Sequence, residues 1–366
     1  MKITRIEFVP YHYEFPRPLR LAKSQLSFRE GYYLWLHEQN GFRGIGEVAP
    51  LPGFSSESMK TVKKHLGSLK RQLEHSALNL DVHSGAVTGF PGLKKFPPSL
   101  KYGIEEALFD IAGQMNRVSV SHLFEETPAE QIDCNGLIGL VDLKDIESEI
   151  QYIIAAGFTT VKVKVGRSDF REDLEILEAI RSQVGEYLKL RLDANESWSF
   201  EMAQQHLQDL EEFNVEYVEQ PIPRGHINDL AKLRMQSKVL IAADEEIRSL
   251  KHLKHVLSKE AADLVVLKPM LLGGLTEAYV SAVTALSKDI EVVFTSSLET
   301  AIGRGGVCHL ASALTPHLAH GLTAGSLLEP EILQDVYQAH KGSITVPEDP
   351  GLSIDLQPQD FQAVYE

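Results

Sequence analysis

The sequence predicts an α/β protein whose larger part is a barrel of parallel strands. From about residue 132 onward, eight short apolar runs between Cys134 and Gly325 alternate with amphipathic helical stretches. Ionisable residues near the ends of five consecutive runs recur every 24 to 29 residues. Repeated units of equal length are typical of a (β/α)8-type barrel. A doubly wound open sheet is the alternative, although its ligands gather at one switch point and do not need polar residues at so many strand ends.

Both ends of the chain lack this alternation. Residues 1–15 and 31–37 alternate with period two, and Asn40-Gly41 predicts a hairpin into residues 42–48. A helical pattern begins near Ser56 and recurs at residues 99–115, whereas the tail from Leu327 has strand-and-turn character. We therefore expect the tail to rejoin the N-terminal part. The predicted domains are residues 1–100 plus 327–366, and a barrel of residues 101–326.

Composition argues against two classes of partner. The formal net charge is −15, whereas nucleic-acid binding depends largely on clustered lysine and arginine. No apolar run approaches the roughly 20 residues that cross a bilayer. We therefore expect a cytoplasmic protein with neither a nucleic-acid nor a membrane partner. Cys134 and Cys308 are far apart and form no CxxC pair, so they are predicted to be core residues.

The polar strand ends predict an active site. Side chains alternate along a strand, so Lys162 and Lys164 share one face and point into the barrel, as do the polar residues of other strands. The C-terminal strand ends of a barrel form one ring, where active sites lie. The ring would hold three carboxylates flanked by lysines, in the order Lys164, Asp193, Glu219, Asp244 and Lys268.

Three carboxylates buried together require a cation. Carboxylate ligands suit Mg²⁺, or Mn²⁺ as a substitute, better than zinc. Such a metal can bind a substrate carboxylate and stabilise the charge that develops when the adjacent carbon loses a proton. We expect Lys162 to lower the pKa of Lys164, which would make Lys164 a suitable base, and to attract an anionic small-molecule substrate.

These residues resemble the enolase superfamily, in the subgroup typified by muconate-lactonizing enzyme. The matching motifs are KVKVG with Lys162 and Lys164, DAN at Asp193, EQP at Glu219, ADE at Asp244 and LKP at Lys268. The resemblance spans essentially the whole chain and implies a (β/α)7β barrel with an α+β capping domain made from both chain ends. It implies Asp193, Glu219 and Asp244 as Mg²⁺ ligands, Lys164 as the base, and Lys268 across the substrate.

Within the subgroup, the chain most resembles the o-succinylbenzoate synthases of menaquinone biosynthesis. The supporting stretches are GEVAPLPGFSSES and FTSSLETAIG. The resemblance implies metal-assisted dehydration of 2-succinyl-6-hydroxy-2,4-cyclohexadiene-1-carboxylate. Residues 19–31 match the position of a mobile loop that closes over the site. The predicted substrate-binding residues are Lys162, Arg191, Asn195, Ser296 and Ser297.

Two other functions compete with this hypothesis. Racemisation of N-acylamino acids, or epimerisation of dipeptides, uses two lysines on opposite faces, and this chain has both Lys164 and Lys268. Dipeptide epimerases of the subgroup typically carry Asp-x-Asp at the eighth strand, but HGLTAGSLLE contains no aspartate. A metal-binding barrel without catalysis is the third possibility. No sequence feature indicates the number of subunits.

Overall fold

A three-stranded antiparallel sheet occupies the start of the chain in this computed structural model, which describes residues 1–21, 24–81, 86–90, 92–323 and 336–362. Its strands, in spatial order, are β1 (Ile3–Leu21), β2 (Ser24–Glu38) and β3 (Arg43–Val48). The predicted hairpin at Asn40-Gly41 is confirmed. Gly41 has φ +93°, in the left-handed region that favours glycine, and the Glu38 N–H donates to the Phe42 carbonyl at 2.8 Å.

Two helices and a small hairpin accompany this sheet. They are α1 (Met59–Leu73), β4 (Asn79–Asp81), β5 (Ala86–Thr88) and α2 (Pro98–Asn116). Helix α1 begins after Ser58, whose side chain accepts from the Thr61 N–H. Helix α2 lies so close to β3 that a Cβ on Gly46 would stand 2.1 Å from the Gly103 carbonyl oxygen. The predicted boundary at residue 100 therefore falls inside a helix that packs on the N-terminal sheet.

Seven parallel strands form a curled sheet in the larger part of the chain, which confirms the α/β prediction. The strands are β7 (Gly136–Ile138), β8 (Thr160–Lys164), β9 (Lys189–Asp193), β10 (Val215–Glu219), β11 (Ile241–Ala243), β12 (Leu264–Leu267) and β13 (Glu291–Phe294). Their spatial order is β13-β12-β11-β10-β9-β8-β7, so each strand pairs with its neighbours in sequence.

Helices connect these strands and follow the last one. They are α3 (Ile146–Ala155), α4 (Phe170–Val184), α5 (Phe200–Asp209), α6 (Ile227–Gln236), α7 (Leu250–Ser258), α8 (Pro269–Leu272), α9 (Leu275–Leu286) and α10 (Ala301–Leu314). Their apolar faces and the strands share one large buried core. None of the helices in the described residues is long and apolar enough to span a membrane.

Single bridges lie between the two edges of the parallel sheet. His320 bridges in parallel to Cys134, just before β7, and Gly321 bridges to Thr295, just after β13. These two residues belong to the eighth predicted apolar run, of which residues 324 and 325 lie outside the described residues. The run therefore begins between the first and last strands of the sheet.

The C-terminal tail contacts both parts of the molecule. β14 (Ser343–Thr345) pairs antiparallel with β6 (Gln131–Asp133), whereas α11 (Pro358–Gln362) packs against β1. The Trp35 ring nitrogen donates to the Leu356 carbonyl at 3.1 Å, and the Phe361 ring lies 4.7 Å from the Tyr33 ring.

Candidate active site

The predicted polar residues meet where the parallel strands end. Neighbouring strands align Lys164 with Asp193, and Asp193 with Glu219. Most of these side chains line a cavity of about 140 Å³. Its lining residues are Leu51, Phe54, Asn135, Leu137, Lys162, Lys164, Asp193, Asn195, Asp244, Lys268, Thr295, Ser296, Ser297, Leu298, Gly321 and Thr323. Glu219 is fully buried beside it.

Lysines neutralise all three carboxylates. The Lys162 ammonium donates to both oxygens of Glu219 at 2.7 Å and lies 2.7 Å from Asp193 Oδ2. The same Asp193 oxygen accepts from Lys164 at 2.7 Å. Lys268 forms a close ion pair with Asp244. Because the three carboxylates are almost completely removed from water, each depends on its neighbouring lysine for charge balance.

A second set of polar groups holds the ionic residues in position. Asn195 accepts from Lys164 at 2.5 Å through Oδ1 and donates to Glu245 at 3.0 Å through Nδ2. The buried Gln220 has φ +41°, and its side-chain oxygen accepts from the backbone N–H of Asp244 at 3.1 Å. These bonds fix the strand ends on which the charged side chains lie.

The electrostatics of the site are dominated by burial and by crowded charge. Burial, and next the charge of Asp193, raise the pKa of Glu219 to about 7. Burial opposes protonation of Lys162, but Asp193 and Glu219 outweigh it and raise the Lys162 pKa well above its usual value. Burial likewise opposes protonation of Lys268, but Asp244 and Glu219 raise its pKa. The sequence predicts that Lys162 lowers the pKa of Lys164. In the structure, the charged groups in contact with Lys162 are the carboxylates of Asp193 and Glu219.

The donor set fits a hard divalent cation. Asp193, Glu219 and Asp244 supply only oxygen ligands, and three carboxylates buried together favour a bound cation. In the described part of the chain, however, no three acidic, histidine or cysteine side chains enclose one point suited to a metal ion. Each carboxylate is turned towards a lysine, so metal binding would require these side chains to reorient.

The serines predicted to bind substrate line the cavity. The hydroxyls of Ser296, Ser297 and their neighbour Thr295 are buried and have no hydrogen-bond partner among the described residues. A buried hydroxyl without a partner is costly, so these groups are available to a bound polar ligand.

Arg191 has a different position from the one expected. It is buried below the cavity, where it donates to Glu216 at 2.5 Å and to the Ala319 carbonyl and stacks on the Tyr217 ring. Arg191 is absent from the cavity lining although its register partner on β8, Lys162, is part of it, because the Arg191 guanidinium is directed to Glu216 and the Ala319 carbonyl.

Sequence reasoning missed the apolar wall of the cavity. This wall consists of Leu51, Phe54 and Leu298, and Leu51 and Leu298 pack in one cluster with Phe15 and Leu26 of the N-terminal hairpin. The stretch GEVAPLPGF supports only the family resemblance. Its apolar residues give no local signal of a ligand site, because they meet Leu298 only in the tertiary structure.

The stretch expected to be a mobile loop, residues 19–31, is largely β-strand. Leu19 pairs with Leu26 and Tyr11 pairs with Gly31 across β1 and β2, and residues 22 and 23 lie outside the described residues. The alternation of residues 24–31 extends the strand predicted from residue 31, so the hairpin is longer than expected.

Comparison with known proteins yields relatives that span almost the whole chain. Chloromuconate cycloisomerase CbnB of Cupriavidus necator is 28% identical over 97% of both chains. The o-succinylbenzoate synthase of Desulfotalea psychrophila is 26% identical over 86% of this chain and 91% of its own. The structure of a dipeptide epimerase from Cytophaga hutchinsonii, complexed with Mg and a dipeptide, is 25% identical, has a TM-score of 0.86, and covers 98% of this chain and 96% of that one.

Family models match both parts of the molecule. Residues 5–111 match the model described as MenC, N-terminal domain, and this match includes most of α2. Residues 145–360, more than half of the chain, match the model described as Enolase C-terminal domain-like. These matches agree with the lysines and carboxylates gathered at the strand ends, and the chain belongs to the enolase superfamily.

Proposed function

We propose that this protein is an o-succinylbenzoate synthase. It would dehydrate 2-succinyl-6-hydroxy-2,4-cyclohexadiene-1-carboxylate to o-succinylbenzoate, a step of menaquinone biosynthesis. The observation that carries the proposal is that Lys164 of β8 and Lys268, next to β12, line one cavity together with Asp193 and Asp244. The fold would be a (β/α)7β barrel, closed by the bridges of His320 and Gly321, under a capping domain made from both chain ends.

The chemistry follows from the positions of the two lysines. Lys164 would remove the proton on the carbon that bears the ring carboxylate, and then return it to the departing hydroxyl, so that water leaves and the ring becomes aromatic. Lys268 would stabilise the negative charge on the carboxylate oxygens. A Mg²⁺ or Mn²⁺ ion held by Asp193, Glu219 and Asp244 would supply Lewis-acid stabilisation of the same oxygens. Asn195 would orient the Lys164 ammonium, which it already contacts.

The remaining cavity walls match the two halves of this substrate. Leu51, Phe54 and Leu298 offer an apolar surface to the ring. The hydroxyls of Thr295, Ser296 and Ser297, which have no partner in the described part of the chain, would donate to the succinyl group. The match of residues 5–111 to the MenC N-terminal model supports the same assignment.

A racemase of N-acylamino acids is the second candidate, because both lysines line the cavity and could each act as a base. Dipeptide epimerisation is less well supported. The cavity lining in the described residues contains no carboxylate besides Asp193 and Asp244, and both are paired with lysines. The sequence HGLTAGSLLE contains no aspartate, so it lacks the Asp-x-Asp that dipeptide epimerases of the subgroup typically carry at the eighth strand.

The first prediction concerns turnover. The protein is stripped with a chelator, Mg²⁺ is added back, and conversion of the cyclohexadiene is followed by ultraviolet absorbance. We expect turnover that requires metal and falls by at least about 100-fold in Lys164→Ala, since a positioned acid–base group contributes about that much. Lys144→Ala, at an exposed lysine, is the matched control and should behave like the unaltered protein.

Two results would contradict parts of this assignment. Mg²⁺ binding without turnover of the cyclohexadiene would exclude the dehydratase and direct attention to N-succinyl amino acids, for which deuterium exchange at the α-carbon reports racemase chemistry. Activity that is unchanged in Lys164→Ala would exclude Lys164 as the base. Mg²⁺ binding with neither turnover of the cyclohexadiene nor exchange in N-succinyl amino acids would favour a barrel that only binds metal.

A further inference from the structure

We propose that Arg29, on β2 of the N-terminal sheet, is a positioning residue that holds two walls of the cavity together and so determines substrate affinity. The inference rests on the proposed function only where turnover is measured. Arg29 is 1% exposed and contacts neither the catalytic lysines nor the carboxylates. Its effect on the site must therefore pass through the segments that it binds.

The Arg29 guanidinium donates to four backbone carbonyls from two separate segments. Towards the N-terminal part, it donates to Ala49 at 2.6 Å and Pro50 at 2.8 Å. Towards the parallel sheet, it donates to Leu298 at 2.9 Å and Ser297 at 3.0 Å. The planar fork of arginine directs several N–H groups at fixed angles, which an ammonium group cannot reproduce.

Both segments form part of the cavity. Ser297 and Leu298 line it directly, and Ala49 and Pro50 lead into Leu51 and Phe54, which form the opposite part of the apolar wall. The far end of the segment from Ala49 to Phe54 is also held, because Arg248 donates to the Phe54 carbonyl. Arg29 is thus the link between the loop that carries Leu51 and the loop that carries the cavity hydroxyls.

The segment after β13 needs such a support. It leaves the regular sheet at Thr295, and Leu298 has φ +62°, which is a strained conformation for a leucine. Its other supports are also side chains: Glu299 accepts from the Ser297 N–H at 2.5 Å, and Glu47 of β3 accepts from the Thr300 N–H at 3.0 Å. Without Arg29, this segment would lose the bonds to the Ser297 and Leu298 carbonyls, which hold its backbone where Leu298 packs in one cluster with Leu51.

The test compares Arg29→Lys and Arg29→Gln with Arg181→Lys. Arg181 is a matched control because it also donates to four carbonyls of two loops, namely those of Gly185, Leu188, Phe213 and Asn214. Hydrogen–deuterium exchange is measured in the holo protein for residues 49–55 and 296–300, and kcat and KM are measured with the cyclohexadiene substrate. The lysine variant keeps the buried positive charge, whereas the glutamine variant removes it.

We expect faster exchange in both segments and a KM roughly tenfold higher in the Arg29 variants, with kcat and Mg²⁺ affinity nearly unchanged. Arg181→Lys should change exchange only around residues 185–188 and 213–214. The inference is overturned if exchange in either cavity segment is unchanged, if kcat falls while KM is constant, or if Arg181→Lys raises KM equally. If neither the unaltered protein nor any variant turns over this substrate but hydrogen–deuterium exchange responds as expected, the proposed function fails and the inference about Arg29 stands.

Discussion

At the scale of single residues, the site is a balance between lysines and buried carboxylates. One oxygen of Asp193 lies 2.7 Å from both Lys162 and Lys164, and Glu219 depends on Lys162 for both of its oxygens. Removing one member of such a set leaves its partner as an uncompensated buried charge, which costs far more than the loss of an exposed pair.

Lys162→Met should therefore destabilise the metal-free protein by roughly 3 kcal/mol, because Glu219 loses its cation. Adding Mg²⁺ should recover part of this loss if Asp193, Glu219 and Asp244 bind the ion. Urea unfolding with and without Mg²⁺ measures both effects. Lys238→Met, which breaks the exposed pair with Glu211, is the control and should change stability by less than about 1 kcal/mol. Equal effects in the two variants would contradict the prediction.

At the scale of secondary structure, buried carboxylates of the N-terminal part cap helices of the larger part. Glu47 of β3 accepts from the N–H groups of Thr300 at 3.0 Å and Gly303 at 2.9 Å, at the start of α10. Glu105 of α2 accepts from the Thr276 N–H at 3.0 Å, at the start of α9. Helix N-termini carry unsatisfied N–H groups and partial positive charge, so each carboxylate joins the two parts.

The burial of these capping carboxylates predicts that the stability of the protein depends on pH. Burial, only partly offset by the Thr276 N–H, raises the pKa of Glu105 to about 7. The pKa of Glu105 in the folded protein exceeds its ordinary value. The stabilising contribution of Glu105 to folding is therefore fully present below about pH 4.5 and is lost as the pH rises through about 7. Relative to that of the unaltered protein, the free energy of unfolding of Glu105→Gln should rise by up to about 3 kcal/mol between about pH 4.5 and pH 8. Urea unfolding at both pH values checks this, with the exposed Glu178→Gln as control. A pH-independent difference would contradict it.

At the scale of the whole molecule, the C-terminal tail ties the N-terminal sheet to the rest of the chain. Phe361 is fully buried, and its ring lies 4.7 Å from that of Tyr33 and 5.7 Å from that of Trp35. The tail also supplies β14 to the strand β6 and the Leu352 N–H to Asp110 of α2, at 2.9 Å. The N-terminal sheet, which supplies Arg29, is thus partly held by the last described residues.

Phe361→Ala should lower the free energy of unfolding by about 3 to 5 kcal/mol, because it removes a buried aromatic ring and leaves a cavity. Phe28→Ala, at an exposed position on β2, is the matched control and should have a much smaller effect. Urea unfolding of both variants measures the difference. A small effect of Phe361→Ala would mean that the tail contributes little to the stability of the N-terminal sheet.

The parallel sheet and the ionic centre could be predicted from the sequence because their signals are local. A buried strand needs an apolar run, and a polar residue at its end is visible as a break in that run, as at Lys164, Asp193 and Lys268. The same reasoning failed for Arg191, since alternation gives the face of a side chain but not the groups with which it pairs.

By itself, the sequence determined the α/β class, the parallel order of the strands and the residues that meet at their ends, because strand periodicity and helix length leave few other solutions. Only the tertiary structure decided which lysine pairs with which carboxylate, and which loops wall the cavity. Leu51, Arg29 and Leu298 are distant in sequence and acquire their roles by contact. Such long-range contacts carry no periodic signal, since they depend on how two separately patterned units pack together.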